Sequence, residues 1–224
     1  MHINPGIVDG AKLLLSYATA AGVSFWAVKS TLAEIGVGGV ASLALRGLIA
    51  TVAVFVFFQV FPHFQVGVSE VHFILGSTLF LILGAGPAAF GLAFGLLLQG
   101  IFVAPFDLPQ YAMNVTTLLV PLYGLRYIAD RFIAPNTAYV DITYKQTLML
   151  STAYQAGIVS WVAFWVFYGQ GFAATGAVAQ FGVAYMMVVL IEPLVDLAVL
   201  AAAKSGRDLS RSGLVSPRLY RQAA

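Results

Sequence analysis

The sequence predicts an all-α polytopic membrane helix bundle of about seven transmembrane helices, with the N-terminus outside and the C-terminus cytoplasmic. Three observations lead there. First, of 224 residues 60% are hydrophobic and only 9% charged, with a mean hydropathy of +0.91. Soluble domains carry roughly 25% charged residues, and a water-facing fold of this size has too little polar surface here to cover itself. Second, apolar runs recur at the length a bilayer requires. Third, the basic residues segregate to one side of those runs.

The runs fall at 10–28, 43–61, 72–86, 88–104, 113–133, 148–168 and 177–201. A helix needs about 20 apolar residues to cross lipid, so the third and fourth are short. Gly84, Gly86 and Pro87 divide them, because Pro cannot continue a helix without losing a backbone hydrogen bond. Small residues at four-residue spacing, Gly91 with Gly95 and Ala18 with Gly22, mark close helix approach.

Placing the N-terminus outside puts every basic residue except Lys12 in inner loops, at inner span ends or in the tail: Lys29, Arg46, Arg126, Arg131, Lys145, Lys204, Arg207, Arg211, Arg218 and Arg221. That is the positive-inside pattern and an odd number of crossings. Lys12, near the outer end of the first span, can snorkel. Domain organisation follows as one bundle over residues 1–203 and a basic cytoplasmic tail over 204–224. The start, Met1-His2-Ile3-Asn4-Pro5-Gly6, lacks the basic n-region of a secretory signal, so Met1 is expected to be the initiator residue. The chain has no cysteine, which removes disulfides and thiolate metal sites.

A free amine followed by His2 is a chelator. The amine, the His2 amide nitrogen and its Nδ1 close two fused rings on one cation, suited to Ni(II), Cu(II) and in some settings Co(II). A further imidazole can take the open corner. The other histidines are His63, in the loop after the second span, and His72, at the mouth of the third. The predicted topology places all three on the outer face, with Asp9, Glu70 and Asp107 supplying a field that draws cations.

Three stretches carry a family likeness: Met1-His2-Ile3 with Pro5-Gly6; Ser69-Glu70-Val71-His72-Phe73-Ile74-Leu75-Gly76; and Leu96-Leu97-Leu98-Gln99-Gly100 followed by Asn114. On these the chain resembles the substrate-binding membrane subunits of cobalt and nickel energy-coupling-factor (ECF) ABC transporters, the CbiM/NikM family. The resemblance implies Met1, His2 and His72 as metal ligands and Ni(II) or Co(II) as transported substrate. It also implies a bacterial cell-membrane location, a coupling membrane subunit and cytoplasmic ATPase subunits. Glu70 and Val71 depart from the small or polar residues the family usually has before its histidine. Ala112-Met113-Asn114 stands for its Gly-Ala-Asn, and Pro105–Gln110 differs from its Gly-rich loop.

Other polar residues have two readings each. His63 is an interfacial loop histidine or an accessory ligand. Glu70 is an oxygen donor or orients an imidazole. Asn114 and Gln99 bond between helices or steady a ligand's far nitrogen. Glu192 and Asp196, four apart near the inner end of the last span with Arg46 and Arg126, are expected to form structural ion pairs there or to serve as interfacial groups, rather than a proton path. No phosphate-binding loop and no His-Glu-x-x-His motif occurs, so an enzyme is not expected, nor a nucleic-acid partner. The rival functions are an ECF-type carrier of an organic micronutrient and a membrane protein with no metal role.

Overall fold

Long apolar segments in lipid must satisfy their own backbone groups, which favours helices throughout. The computed structural model describes residues 3–206, without the side chain of Val37. Its helices are α1 (Leu13–Gln59), α2 (Gly76–Leu83), α3 (Ala85–Phe102), α4 (Tyr111–Phe132), α5 (Tyr144–Gln170) and α6 (Thr175–Ser205). One small hairpin, β1 (Phe64–Val66) and β2 (Ser69–Val71), joins α1 to α2. The segments 10–36, 38–59, 85–102 and 144–205 are long and apolar enough to cross a membrane, and the last contains both α5 and α6.

α1 is two antiparallel arms. Gly39 breaks it with φ 77° and ψ 165°, a conformation that glycine tolerates and L-residues rarely adopt. Glu34 Oε2 then accepts from Arg46 Nη1 at 2.7 Å. Twelve positions apart on one straight helix the two would stand about 18 Å apart. The sequence expectation of a loop over 29–42 is therefore corrected: both arms stay helical almost to Gly39, and the turn itself is short.

The second arm packs along α3, where glycines let the backbones close. A Cβ added at Gly91 would stand 2.3 Å from Ala50 Cβ, and one at Gly95 2.6 Å from Val54 Cγ1. The Ala18–Gly22 pair makes no such contact, since a Cβ at Gly22 meets nothing within 4 Å. Gly91→Leu is accordingly expected to lower the melting midpoint in detergent, overpacking costing about 1–3 kcal/mol. Gly22→Ala should leave the midpoint within error.

The third predicted crossing is corrected most. Helix α2 covers only 8 residues, about 12 Å, and cannot cross a bilayer alone. Residues 72–75 are unwound, ending at Leu75 with φ 51°. α2 stops at Gly84, with φ 97°, and α3 starts at Ala85. The break leaves α2 carbonyls and α3 amides without intrahelical partners. Arg46 Nη1 donates to Leu83 O, and Glu34 Oε1 accepts from Gly86 N at 3.0 Å. Each charge sits at the helix end of opposite polarity. The expected pairing of Arg46 with Glu192 or Asp196 is thus overturned. Arg126 likewise turns elsewhere, donating to Ser30 Oγ at 2.8 Å and lying 3.8 Å from Asp130.

α4 and α5 cross where Gly157 leaves room for Pro121. A capping box of Thr143 and Gln146 starts α5. The buried core runs between α2, α4, α5 and α6 through Leu118, Tyr154, Ile158, Trp165, Phe181 and Tyr185.

Candidate functional site

At one end of the bundle the β1–β2 hairpin turns at Gly67, with φ 58°. Its register pairs Phe64 with Val71, Gln65 with Glu70 and Val66 with Ser69. The N-terminal segment adds to the open edge of β2. Ile3 forms an antiparallel bridge with Ser69, and Asn4 N donates to Val68 O at 3.1 Å. Asn4 Nδ2 donates to Gly67 O at 3.1 Å, and Gln65 Nε2 donates to Asn4 Oδ1. Ile3 is fully buried. Its N–H donates at 2.9 Å to Oδ1 of Asn114, on the first turn of α4. Further along, Lys12 Nζ donates to Gly169 O at 2.6 Å, at the end of α5. Asn114 therefore anchors the N-terminal strap through its backbone.

His72 lies just past β2, where the chain unwinds toward α2, and is 1% exposed. Its ring lies 4.3 Å, centroid to centroid, from Phe58 on α1. Nδ1 is 3.2 Å from Phe73 O. A carbonyl only accepts, so in the neutral ring Nδ1 carries the proton and Nε2 the lone pair, the arrangement in which an imidazole ligates a metal.

His63 and Glu70 sit nearby on a more open face. His63 Nε2 is 3.8 Å from Glu70 Oε1, with the histidine side chain 39% exposed, and its Nδ1 is 3.1 Å from Phe61 O. Both line a polar cleft of about 420 Å³ with Asn4, Gln65, Gln99 and Asp107. Gln99 and Asp107 are themselves buried. The structure thus joins Ile3 to Asn114 and to Ser69, three residues before His72, and places His63, Glu70 and Gln99 along one cleft. Met1 and His2 lie outside the described residues. Among the described residues no three His, Asp or Glu side chains converge as a metal cage.

Beneath His72 lies a support that sequence reasoning assigned differently. Glu192 Oε1, on α6, accepts from Ile74 N, and Oε2 accepts from Gln155 Nε2. Tyr185 Oη donates to Gln155 Oε1 at 2.7 Å. One turn on, Asp196 accepts from Ser77 Oγ at 2.6 Å and from Thr78 Oγ1. Both carboxylates are fully buried. They hold the start of α2, whose first amides have no intrahelical acceptor. The i,i+4 spacing in the sequence signalled a paired function on one helix face. The partners, 118 and 119 positions away, carry no local signature.

These features define a class: a multi-pass α-helical membrane protein whose N-terminal strap, docked on β2 through the buried Ile3, and histidine-bearing cleft share one end of the bundle. The chain belongs to the CbiM family, described as the cobalt uptake substrate-specific transmembrane region, which it matches over residues 2–208. Membership makes it a substrate-specific membrane component of cobalt or nickel uptake, a transporter component. No curated protein and no solved structure matches the chain.

Proposed function

We propose that the chain captures one Ni(II) or Co(II) ion for uptake through the free amine of Met1, the amide and imidazole of His2, and the imidazole of His72. The observation that carries this reading is the position of Ile3. Its backbone is fixed between Ser69 and Asn114, and Ser69 is three residues before His72. Two Cα steps of about 3.8 Å separate Met1 from Ile3; in this reading they carry the terminal amine to the imidazole. The tautomer at His72 leaves Nε2 as the donor. An amine, a deprotonated amide and two imidazoles make the four-nitrogen field that Ni(II) accepts. Glu70 and His63, at the cleft mouth, attract the incoming cation and do not complete its coordination.

In this reading the strap end of the bundle faces outward, and the basic residues past Lys204 face the cytoplasm, as the charge asymmetry favours. Residues 1–203 form the metal-binding bundle and 204–224 the tail. Inward release requires the strap to peel from β2, driven by separate ATPase subunits through a coupling membrane subunit, as in ECF transporters.

The test is an extension of two or three residues ahead of Met1. It removes the chelating amine while leaving Ile3 and its partners in the chain. Equilibrium titration with Ni(II) and Co(II) should show affinity falling by about a hundredfold or more, with an unchanged melting midpoint in the absence of metal. Native affinity in the extended protein would take the amine out of the site. An organic-micronutrient carrier would also tolerate the extension.

A further inference from the structure

A second site lies at the opposite end of the bundle from the strap. A groove of about 440 Å³ opens between the first arm of α1 and α4. Its walls carry Trp26, Lys29 and Ser30 on one helix and Tyr123, Arg126 and Tyr127 on the other, with Asp130 at the rim. The Lys29 ammonium sits 4.9 Å over the Trp26 ring, and the guanidinium of the adjacent Arg131 sits 4.3 Å over Tyr127. Arg126 bonds Ser30 Oγ, and the Tyr123 hydroxyl is buried beside the same serine. Two cations, Lys29 and Arg126, thus line the groove with one carboxylate, and Asp130 approaches Arg126 only to 3.8 Å.

Depth and exposure say what fills the groove. Lys29 lies about 24 Å along the axis from Leu13, and Arg126 about 22 Å from Tyr111. Both cations therefore sit near the far edge of a hydrocarbon layer about 30 Å thick. Trp26 and Tyr127 are more than half exposed, as aromatic residues are at a membrane boundary. On the strap side of Lys29, the outer surface of the first arm presents Leu14 and Phe25, each more than 60% exposed. That is a path for acyl chains, with cations and hydroxyls at its head.

We infer that this groove binds the phosphodiester headgroup of an anionic phospholipid, clamped between Lys29 and Arg126. Basic pockets between helices at the cytoplasmic side are suited to such headgroups, and a guanidinium with an adjacent hydroxyl matches phosphate oxygens. Bound lipid ties α1's outermost arm to α4. The cytoplasmic leaflet follows from the orientation proposed above; the chemistry of the groove does not depend on it.

The test uses the full-length protein, as Trp161→Phe, in neutral detergent or phosphatidylcholine bilayers. Trp165 is fully buried, so Trp26 becomes the main tryptophan open to lipid. Quenching by brominated phosphatidylglycerol is compared with brominated phosphatidylcholine. The expected result is a clear preference for phosphatidylglycerol, accompanied by a raised melting midpoint. Lys29→Gln should weaken that preference by about fivefold, the worth of one basic side chain at an anionic surface, and Lys29→Arg should keep it. Lys29 is exposed, so these variants preserve the fold. Equal quenching by the two lipids, or a preference untouched by Lys29→Gln, overturns the assignment. So does inorganic phosphate reproducing the stabilisation, since the groove would then be a free-anion site. Metal affinity is read separately, so failure here is distinct from failure of the metal site.

Discussion

His72→Ala is expected to abolish high-affinity Ni(II) and Co(II) binding while the bundle still folds. Positioning partners behind a ligand are worth about 10–100-fold in metal affinity, and loss of the ligating imidazole itself should cost at least the upper figure. The ring is buried against Phe58, so alanine also leaves a cavity and some loss of melting midpoint. His72→Gln separates the two effects, because it refills the volume with a poor metal donor. Calorimetric titration of both variants, paired with thermal unfolding without metal, is the measurement. Near-native affinity in a folded His72→Gln protein would remove this residue from the ligand set.

The second large effect is expected at Glu192, which touches no metal donor. Alanine there strips the acceptor from Ile74 N and from Gln155 Nε2 in a water-free interior. Each buried donor left unsatisfied costs about 1–3 kcal/mol. Glu192→Ala should therefore lower the melting midpoint by several degrees. Because Ile74 is two residues past His72, metal affinity should fall as well. Glu192→Gln keeps an acceptor for Ile74, and Gln155 can turn its amide to meet the new donor. This variant should recover most of both losses. Thermal unfolding and metal titration of the pair read the outcome. Equal behaviour of Ala and Gln would mean that the carboxylate position bears no such load.

The helical, membrane-crossing character was legible because lipid imposes it on any long apolar run. Helix ends near 59, 102 and 132 were legible within a few residues for the same reason. The unwound stretch 72–75 was not. Its amides are held by a carboxylate 118 positions later, and no local pattern reports that. The continuation of α1 past Lys29 was hidden because Lys29 and Glu34 lower the hydropathy. Both charges belong to helix, and Glu34 is neutralised by Arg46 across the turn. At the candidate site, chain chemistry singled out His72 and Asn114. It did not anticipate that Asn114 would hold the backbone of Ile3 and leave the imidazole to Phe73 O.

The Arg46–Glu34 contact has a consequence for biogenesis. An arginine alone in the middle of a helix costs about 2.5–3.5 kcal/mol to pass from the translocon into lipid. Here its counter-charge lies on the neighbouring arm, across the Gly39 reversal. The two arms of α1 therefore partition most favourably as one neutral pair, once both have emerged from the ribosome.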